Sequence, residues 1–469
     1  MRQTFYIETM GCQMNKLDSE LIVNQLIRCG YRRTDDPDQA GVIIFNTCSV
    51  RHHAEDKVIS KIGQFQRPRR QEDDFVLAVV GCMAERLGQK LLDDYRQVDI
   101  VCGPGQLHRL SAMIQHVREN HRVNRVISLN DPDQTDELEQ LDVHHQRIDI
   151  GVPFQAYLRV MRGCNNYCSY CIVPYVRGPE RSRPLENIVA EARRLIAGGV
   201  KEITLLGQAV NYYRYHKDTR EIGLADVLEA IHEIEGLVRL RFVTSYPRNF
   251  DERILQAMSQ LPKVCPYLHI PAQSGSDRIL KAMNRHYTAA QYMEIIDRAR
   301  AMVPGFTVAG DFIVGFPGET DQDHTGTIDL IRKARYKNCF IFKYSPRPGT
   351  LADHKMPDDV PAQVKQHRLR QLLDLQNEIS YADNQEFIDQ TVEVLVEGPS
   401  KKPHLNITGG PQPGSTDSKN SPNLQLVGRT PGDHIVVFSG HENLIGKLVS
   451  LKVTKVSALT LFAELLYVS

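Results

Sequence analysis

The sequence predicts a multidomain α/β protein in three parts: a Rossmann-like parallel α/β domain, a partial (β/α)6 TIM-type barrel, and a small antiparallel β-barrel. Three observations predict it. Up to about residue 125, continuous apolar runs alternate with helical patterns, as strands buried on both faces of a parallel sheet require. From about 150 to 385, six more strand signals alternate with helices, and polar segments recur just after the strands, at the end where (β/α) barrels place their chemistry. Beyond about 386 the pattern changes to two-residue alternation in short strands separated by turn residues, which suits a small barrel. At 469 residues the chain is too long for one ordinary domain.

In the first part, residues 4–9 read as a strand leading into Cys12, with a helix after it. Residues 42–46 form a second strand running into Cys48, and residues 75–80 a third, ending at Gly81 and Cys82. All three cysteines thus stand at the carboxyl ends of strands, the edge at which open α/β sheets bind ligands. Neighbouring parallel strands lie about 4.8 Å apart, so the three thiols can converge on one metal cluster. The alternative is three buried structural cysteines; their shared topological position weighs against it. Cys102 ends a fourth strand signal and reads as an ordinary buried thiol. Cys29, Cys265 and Cys339 fall inside helix or strand patterns and read as core. Residues 126–149, with a turn signal at Asp131-Pro132, read as a linker.

In the second part, Cys164, Cys168 and Cys171 follow a strand at the spacing Cys-x3-Cys-x2-Cys. Three thiolates on one loop can hold three irons of a [4Fe–4S] cluster and leave the fourth open to a reactant. Half a zinc site is the alternative, but no Cys or His completes it at a usual offset. Gly207 and Gln208, Ser245, Gln273, Gly315 and Arg347 lie in polar segments that follow or end the later strands. Each segment alone is an ordinary turn signal; their joint placement is what counts. Around the cysteine loop, Arg159, Arg162, Arg177, Arg181 and Arg183 interleave with Tyr167, Tyr170 and Tyr175. Arginine pairs with phosphate and tyrosine stacks on bases; the competing reading is a salt-bridged surface loop.

The third part follows a charged helix over 362–384. Strands are expected at 391–397, 435–438, 447–453 and 460–465. Residues 398–423, rich in Pro, Gly, Ser and Asn, read as a flexible insertion. Composition is that of a soluble globular protein, 41% hydrophobic and 24% charged. The formal net charge is zero, so any nucleic-acid surface must be local. There is no apolar run of about 18 residues and no signal-peptide pattern, so the expectation is a cytoplasmic protein with no membrane partner and reduced thiols. Ten cysteines in that setting point to metal or redox chemistry.

The Cys164/Cys168/Cys171 loop resembles that of radical S-adenosylmethionine (SAM) enzymes, and the last part resembles a TRAM domain, an RNA-binding barrel. Gly11-Cys12-Gln13-Met14-Asn15, Asn46-Thr47-Cys48-Ser49-Val50-Arg51, Gly81-Cys82, the loop from Gly163 to Pro174, and Ser345-Pro346-Arg347-Pro348-Gly349-Thr350 together resemble the radical SAM methylthiotransferases. Within them the chain looks most like the branch acting on isopentenyl-adenosine in tRNA. The resemblance implies domains at 1–125 (auxiliary cluster), 150–385 (radical SAM core) and 386–469 (TRAM). It implies two [4Fe–4S] clusters, an auxiliary one on Cys12, Cys48 and Cys82 and a SAM-binding one on Cys164, Cys168 and Cys171. Two SAM molecules are then used per turnover, one as methyl donor and one as source of the 5′-deoxyadenosyl radical that takes hydrogen from C2 of the adenosine. Candidate SAM contacts are Tyr170, Gly207, Gln208, Ser245, Gln273 and Gly315; candidate RNA contacts are Arg177, Arg181, Arg183 and Arg347. Implied partners are the tRNA anticodon loop, an external electron donor and a sulfur source, with the protein a monomer. Ala209, Pro179 and the 398–423 insertion depart from the family pattern and touch substrate detail rather than cluster ligands. Rival readings are a methylthiotransferase for threonylcarbamoyl-adenosine tRNA or for a ribosomal-protein aspartate, and a non-catalytic RNA-binding protein with structural metal.

Overall fold

Apolar strands build the first sheet. β1 (Thr4–Met10), β2 (Val42–Thr47), β3 (Val76–Gly81), β4 (Ile100–Cys102) and β5 (Val126–Ser128) run parallel, with a two-residue strand, Arg32–Arg33, on the outer side of β1. Every residue of β2 and β3 is buried, as a sheet covered on both faces demands. From β1 the chain passes through α1 (Gln13–Arg28) to the Arg32–Arg33 edge, then crosses to the other side of β1 to form β2. Strand order therefore reverses between β1 and β2. This is flavodoxin-like winding, whose ligand crevice lies outside the carboxyl ends at that reversal. After β3 the chain turns at once into α2 (Cys82–Leu87).

The computed structural model describes residues 3–49, 52–64, 75–120, 125–130, 137–146, 154–401 and 424–468. They form two compact units, one of Met1–Ile150, Ala156–Val227 and Arg347–His354, the other of Gly151–Gln155, Leu228–Pro346 and Lys355–Ser469. Val50, Arg51, the Asp131-Pro132 turn and nearly all of the 398–423 insertion lie outside the described residues. Among the described residues, no helix is long and apolar enough to cross a membrane.

Within the stretch expected as a linker, residues 126–130 and 137–146 are described. They include β5 and α3 (Glu137–Val143), and Asp142 among them is fully buried. A three-residue strand is too short to show periodicity, and the partners that bury Asp142 lie elsewhere in the sequence. The six strands expected of the partial barrel all form. β6 (Gln155–Arg159) leads to the cysteine loop and the short helix α4 (Val173–Arg177). Then come α5 (Leu185–Ala197) and β7 (Glu202–Leu206), which neighbours β6.

The second unit carries the other four strands: β8 (Arg239–Phe242), β9 (Tyr267–His269), β10 (Thr307–Val314) and β11 (Asn338–Lys343). β9, β10 and β11 pair in parallel, and Leu240 of β8 makes an isolated bridge with Val264, just before β9. α6 (Asp321–Ala334) starts with a Thr320/Asp323 capping box, and α7 (Ala362–Gln385) packs along β11. Five strands close a barrel in the order β12 (Thr391–Pro399), β13 (Leu424–Arg429), β14 (Ile435–Gly440), β16 (Thr460–Val468), β15 (Leu448–Val456). It is antiparallel except between β14 and β16, whose parallel pairing completes the closure. β13 has no counterpart among the strands expected from sequence, because it directly follows the insertion.

Candidate metal centre

The first cysteine trio is set by strand register. Met10 lies opposite Thr47, and Thr47 opposite Gly81, so Cys12, Cys48 and Cys82 leave one sheet edge one or two residues later. Cys102 pairs level with Val80 and is fully buried within its strand. Burial raises its thiol far above the usual range, which suits a core residue rather than a ligand.

An amide lattice fixes the loops. The Asn46 side chain donates to Asn15 O (2.8 Å) and Ser19 Oγ (2.9 Å) and accepts from Asn15 Nδ2 (2.9 Å). Asn15 Nδ2 also reaches Thr47 O, and Asn15 Oδ1 accepts from Cys12 Sγ at 3.1 Å. Gly81 has φ +95°, and a Cβ there would stand 2.6 Å from Asn46 Oδ1 and Thr47 O. Glycine is thus required for β3 to turn into α2 at Cys82. Cys12 occupies the N-cap of α1, where the helix favours negative charge. A hydrogen bond with Cys48, then Arg177 and Asn15, outweigh burial and bring the Cys12 thiol down to about 5. Burial pushes Cys82 up, against the pull of Arg177.

The second trio sits on a loop pinned at both ends. Gly163 has φ +67°, and a Cβ there would fall 2.0 Å from Pro179 O. Cys164 N–H donates to Gly178 O (3.2 Å), and Cys171 N–H to Cys168 O (2.9 Å). Asn166 Nδ2 donates to Cys164 Sγ at 3.3 Å. Burial raises the Cys164 thiol and Asn166 opposes this. The Arg347–His354 segment leans on the loop through Ala352 N–H to Ser169 O (2.7 Å). α4 then runs to the first trio. Ile172 and Val176 pack with Cys82, Asn130 Nδ2 holds Val176 O (2.8 Å), and Arg177 reaches Asp18 (2.8 Å). Among the described residues no three Cys, His, Asp or Glu side chains close on a single ion. Thiolates bound to different irons of one cluster stand further apart than ligands of one ion.

The arginines expected to meet RNA divide into buried and accessible ones. Arg183 is 3% exposed in its side chain and spends its donors on Glu139, Glu191 and Arg159 O. Arg177 lies against Asp18 with 9% exposure. Arg159 bridges Asp18 (2.9 Å) and Asp142 (2.7 Å), and Arg162 also binds Asp142. Burial alone would raise Asp142, but Arg159, Arg183 and Arg162 hold it well below the usual carboxylate range. Arg177 and Arg183 are therefore interior counter-ions. Of the four arginines expected to meet RNA, Arg181 is exposed and Arg347 half-buried. Tyr167 and Tyr175 are exposed, edge to face at 6.0 Å, beside the loop.

The expected SAM positions carry telling atoms. In the first unit, Tyr170 is half-buried, Gly207 is packed under Met161, and Gln208 Oε1 is buried with no hydrogen-bond partner among the described residues. In the second unit, Ser245 Oγ is in the same state. A buried acceptor or hydroxyl without a partner costs about 1–3 kcal/mol, so each suits a bound polar ligand. Thr244, just before Ser245, and Gln273 both have φ +70° at strand ends. Such values in residues other than glycine gather at functional sites. Gly315 (φ +69°) donates to Glu319 and is covered by the Lys365 stem, 2.3 Å from where a Cβ would stand. Asn15, Asn46, Asp18 and Asp142 thus support the site without being ligands; Asn46, a polar residue inside an otherwise apolar run, is the one that carries a signal in the sequence.

Three family models match the chain: the radical SAM superfamily over residues 158–331, uncharacterized protein family UPF0004 over 4–103, and the TRAM domain over 417–466. The chain is 44% identical to the tRNA-2-methylthio-N(6)-dimethylallyladenosine synthase of Rhodopirellula baltica, covering 99% of this chain and 96% of that one. It is 41% identical to the protein of the same name from Moorella thermoacetica, over 99% and 98%. Among solved structures, the radical S-adenosylmethionine methyltransferase TsrM from Kitasatospora setae, with cobalamin and a [4Fe–4S] cluster bound, superposes with a TM-score of 0.52 at 14% identity, covering 75% of this chain and 77% of that one. That likeness concerns the fold.

Proposed function

The chain belongs to the tRNA-2-methylthio-N(6)-dimethylallyladenosine synthase family, a radical SAM family, and from that premise we propose that it exchanges the C2 hydrogen of N6-dimethylallyl-adenosine, next to the tRNA anticodon, for a methylthio group. One observation carries the reading: two separate sets of three thiols, one on three strand ends and one on a single loop, buttressed by α4. A [4Fe–4S] cluster together with SAM supplies one-electron chemistry able to act on a C–H bond without useful acidity.

The residues fit such groups. Thiolate is the soft donor that iron–sulfur clusters take, and all ten cysteines are free. Cys164, Cys168 and Cys171 would hold the SAM-binding cluster, and Cys12, Cys48 and Cys82 the auxiliary one. The α1 N-terminus and Arg177 offset negative charge at the auxiliary trio; Asn166 does so at the loop. Gln208 in the first unit and Ser245 in the second each carry a buried polar atom without a partner among the described residues, as a residue awaiting a polar ligand would. Arg181, Arg347, Tyr167 and Tyr175 are groups at or near the surface that suit RNA, and a base must leave its stack to be modified. We infer a cytoplasmic monomer served by an external electron donor and sulfur source.

The test is composition and product. Anaerobic purification should give about eight irons per chain, and Cys12→Ala and Cys164→Ala should each keep about four. About one zinc and no iron would leave a structural-metal RNA binder instead. Nucleoside analysis of tRNA from a deletion strain separates the substrates: 2-methylthio-isopentenyladenosine should disappear, and an unchanged level sinks the proposal.

A further inference from the structure

The second unit leaves part of one sheet face uncovered. Register pairs Asp311 with Phe340 and Ile313 with Phe342 across β10 and β11, so these four side chains share that face. His269 of β9 joins them, its Nε2 3.4 Å from Asp311 Oδ1 and its ring edge-on to Phe340 at 6.2 Å. The opposite face is occupied: Phe312 is fully buried, and Cys339 meets Gln376 of α7. Phe340 and Phe342 nevertheless remain 47% and 44% exposed. A parallel sheet ordinarily has both faces covered, and neighbouring exposed aromatics mark binding surfaces.

The charges on this face narrow the occupant. None of the five side chains is a fixed cation, and Asp311 would repel a phosphate. The nearest lysine on the strand, Lys343, turns to the other face and bonds Gln366 of α7. The RNA backbone does not suit the strip; an uncharged, partly aliphatic group does. Residues two apart on a strand stand about 7 Å from each other, so Phe340, Phe342 and Ile313 line one continuous apolar strip. Gln273, just past β9, bridges Phe312 of this sheet, and Ser245 N–H donates to His269 O (2.9 Å).

Building on the methylthiotransferase reading, we propose that Ile313, Phe340 and Phe342 form the subsite for the branched five-carbon N6 substituent of the substrate adenine, with the His269–Asp311 pair at its polar rim. These residues determine specificity for prenylated over unprenylated RNA and take no part in making the radical.

The experiment uses the full chain, purified anaerobically with its clusters. Affinity is measured by fluorescence anisotropy for two anticodon stem-loops that differ only in carrying isopentenyladenosine or adenosine. The wild type should prefer the prenylated RNA roughly tenfold or more, since apolar pockets discriminate about 10–200-fold per methylene-sized change. Phe342→Ala and Phe340→Ala should lower that ratio severalfold and leave the unprenylated affinity unchanged. Phe342→Leu should keep most of the ratio. Ile313→Phe, which crowds the strip rather than trimming it, should abolish the ratio even if the alanine variants fold poorly. A wild-type ratio near one, equal weakening on both RNAs, or loss of SAM binding with the ratio intact would each overturn the subsite. Absence of methylthiolated product from wild type on either RNA would instead count against the function itself.

Discussion

Asp18 shows how much one buried carboxylate organises. It is wholly buried in α1, and its two oxygens hold Arg159 (2.9 Å) and Arg177 (2.8 Å), the second of which lies beside Cys12 and Cys82. Asp18→Asn keeps the volume and removes the charge, leaving two guanidinium groups with less compensation. Breaking a buried ion pair costs about 3–5 kcal/mol. Urea unfolding should show a loss of roughly 3 kcal/mol, and iron should be lost from the Cys12 set before the Cys164 set; equal stability of variant and wild type would refute the role. The cysteines themselves were legible, because ligand chemistry fixes residue type and spacing. Arg177 and Arg183 were not. An arginine in a sequence is equally ready for phosphate or carboxylate, and Asp18, Asp142, Glu139 and Glu191, which claim these two directly or through Arg159, are brought to them only by the fold.

His145 works between elements. It follows α3, is buried, and bonds Glu191 of α5 at 2.7 Å and Glu20 of α1 at 3.7 Å. Burial would lower its pKa, but the two carboxylates prevail and raise it to about 9. The folded value lies above the unfolded one, near 6.5. Its contribution is therefore complete below about pH 6.5 and is lost as pH rises through about 9, on the order of 3 kcal/mol in all. Stability measured between pH 6 and 9.5 should fall across that window, and His145→Gln should flatten the fall; a parallel profile in the variant would refute it. The same region shows why element reading has limits. β2 and β3 announce themselves by unbroken apolar runs, whereas β5 has only three residues and α3 is short and mostly polar. They owe their order to Asn130, Asp142 and His145 meeting groups on α2, α4, α5 and β6.

At the scale of the molecule, the question is whether the C-terminal barrel is an appended RNA module or part of the second unit's body. Its β13–β14 turn supplies backbone carbonyls to buried arginines of β8: Arg239 donates to Arg429 O (2.6 Å), and Arg241 to Thr430 O (2.8 Å) and Pro431 O (3.0 Å). Thr307 Oγ1 at the start of β10 donates to Gly432 O, Lys337 pairs with Asp433 at 2.9 Å, and Asn384 of α7 bonds Ser457 O. These contacts satisfy the residues where β8 and β10 begin, the end opposite Ser245 and Gln273, so the barrel acts as a plug as well as any RNA platform. Ending the chain after Gln385 would leave Arg239, Arg241 and Lys337 without these partners. Charge-assisted hydrogen bonds contribute about 1.5–3 kcal/mol each, so a net loss of about 3 kcal/mol or more is expected. For a body of this size that is roughly 6–12 °C in apparent melting temperature. Calorimetry of the truncated chain should show this drop in what remains, and Arg241→Gln in the full chain should move the transition the same way by less. A truncated protein that melts where the intact one does would show that the barrel is merely tethered.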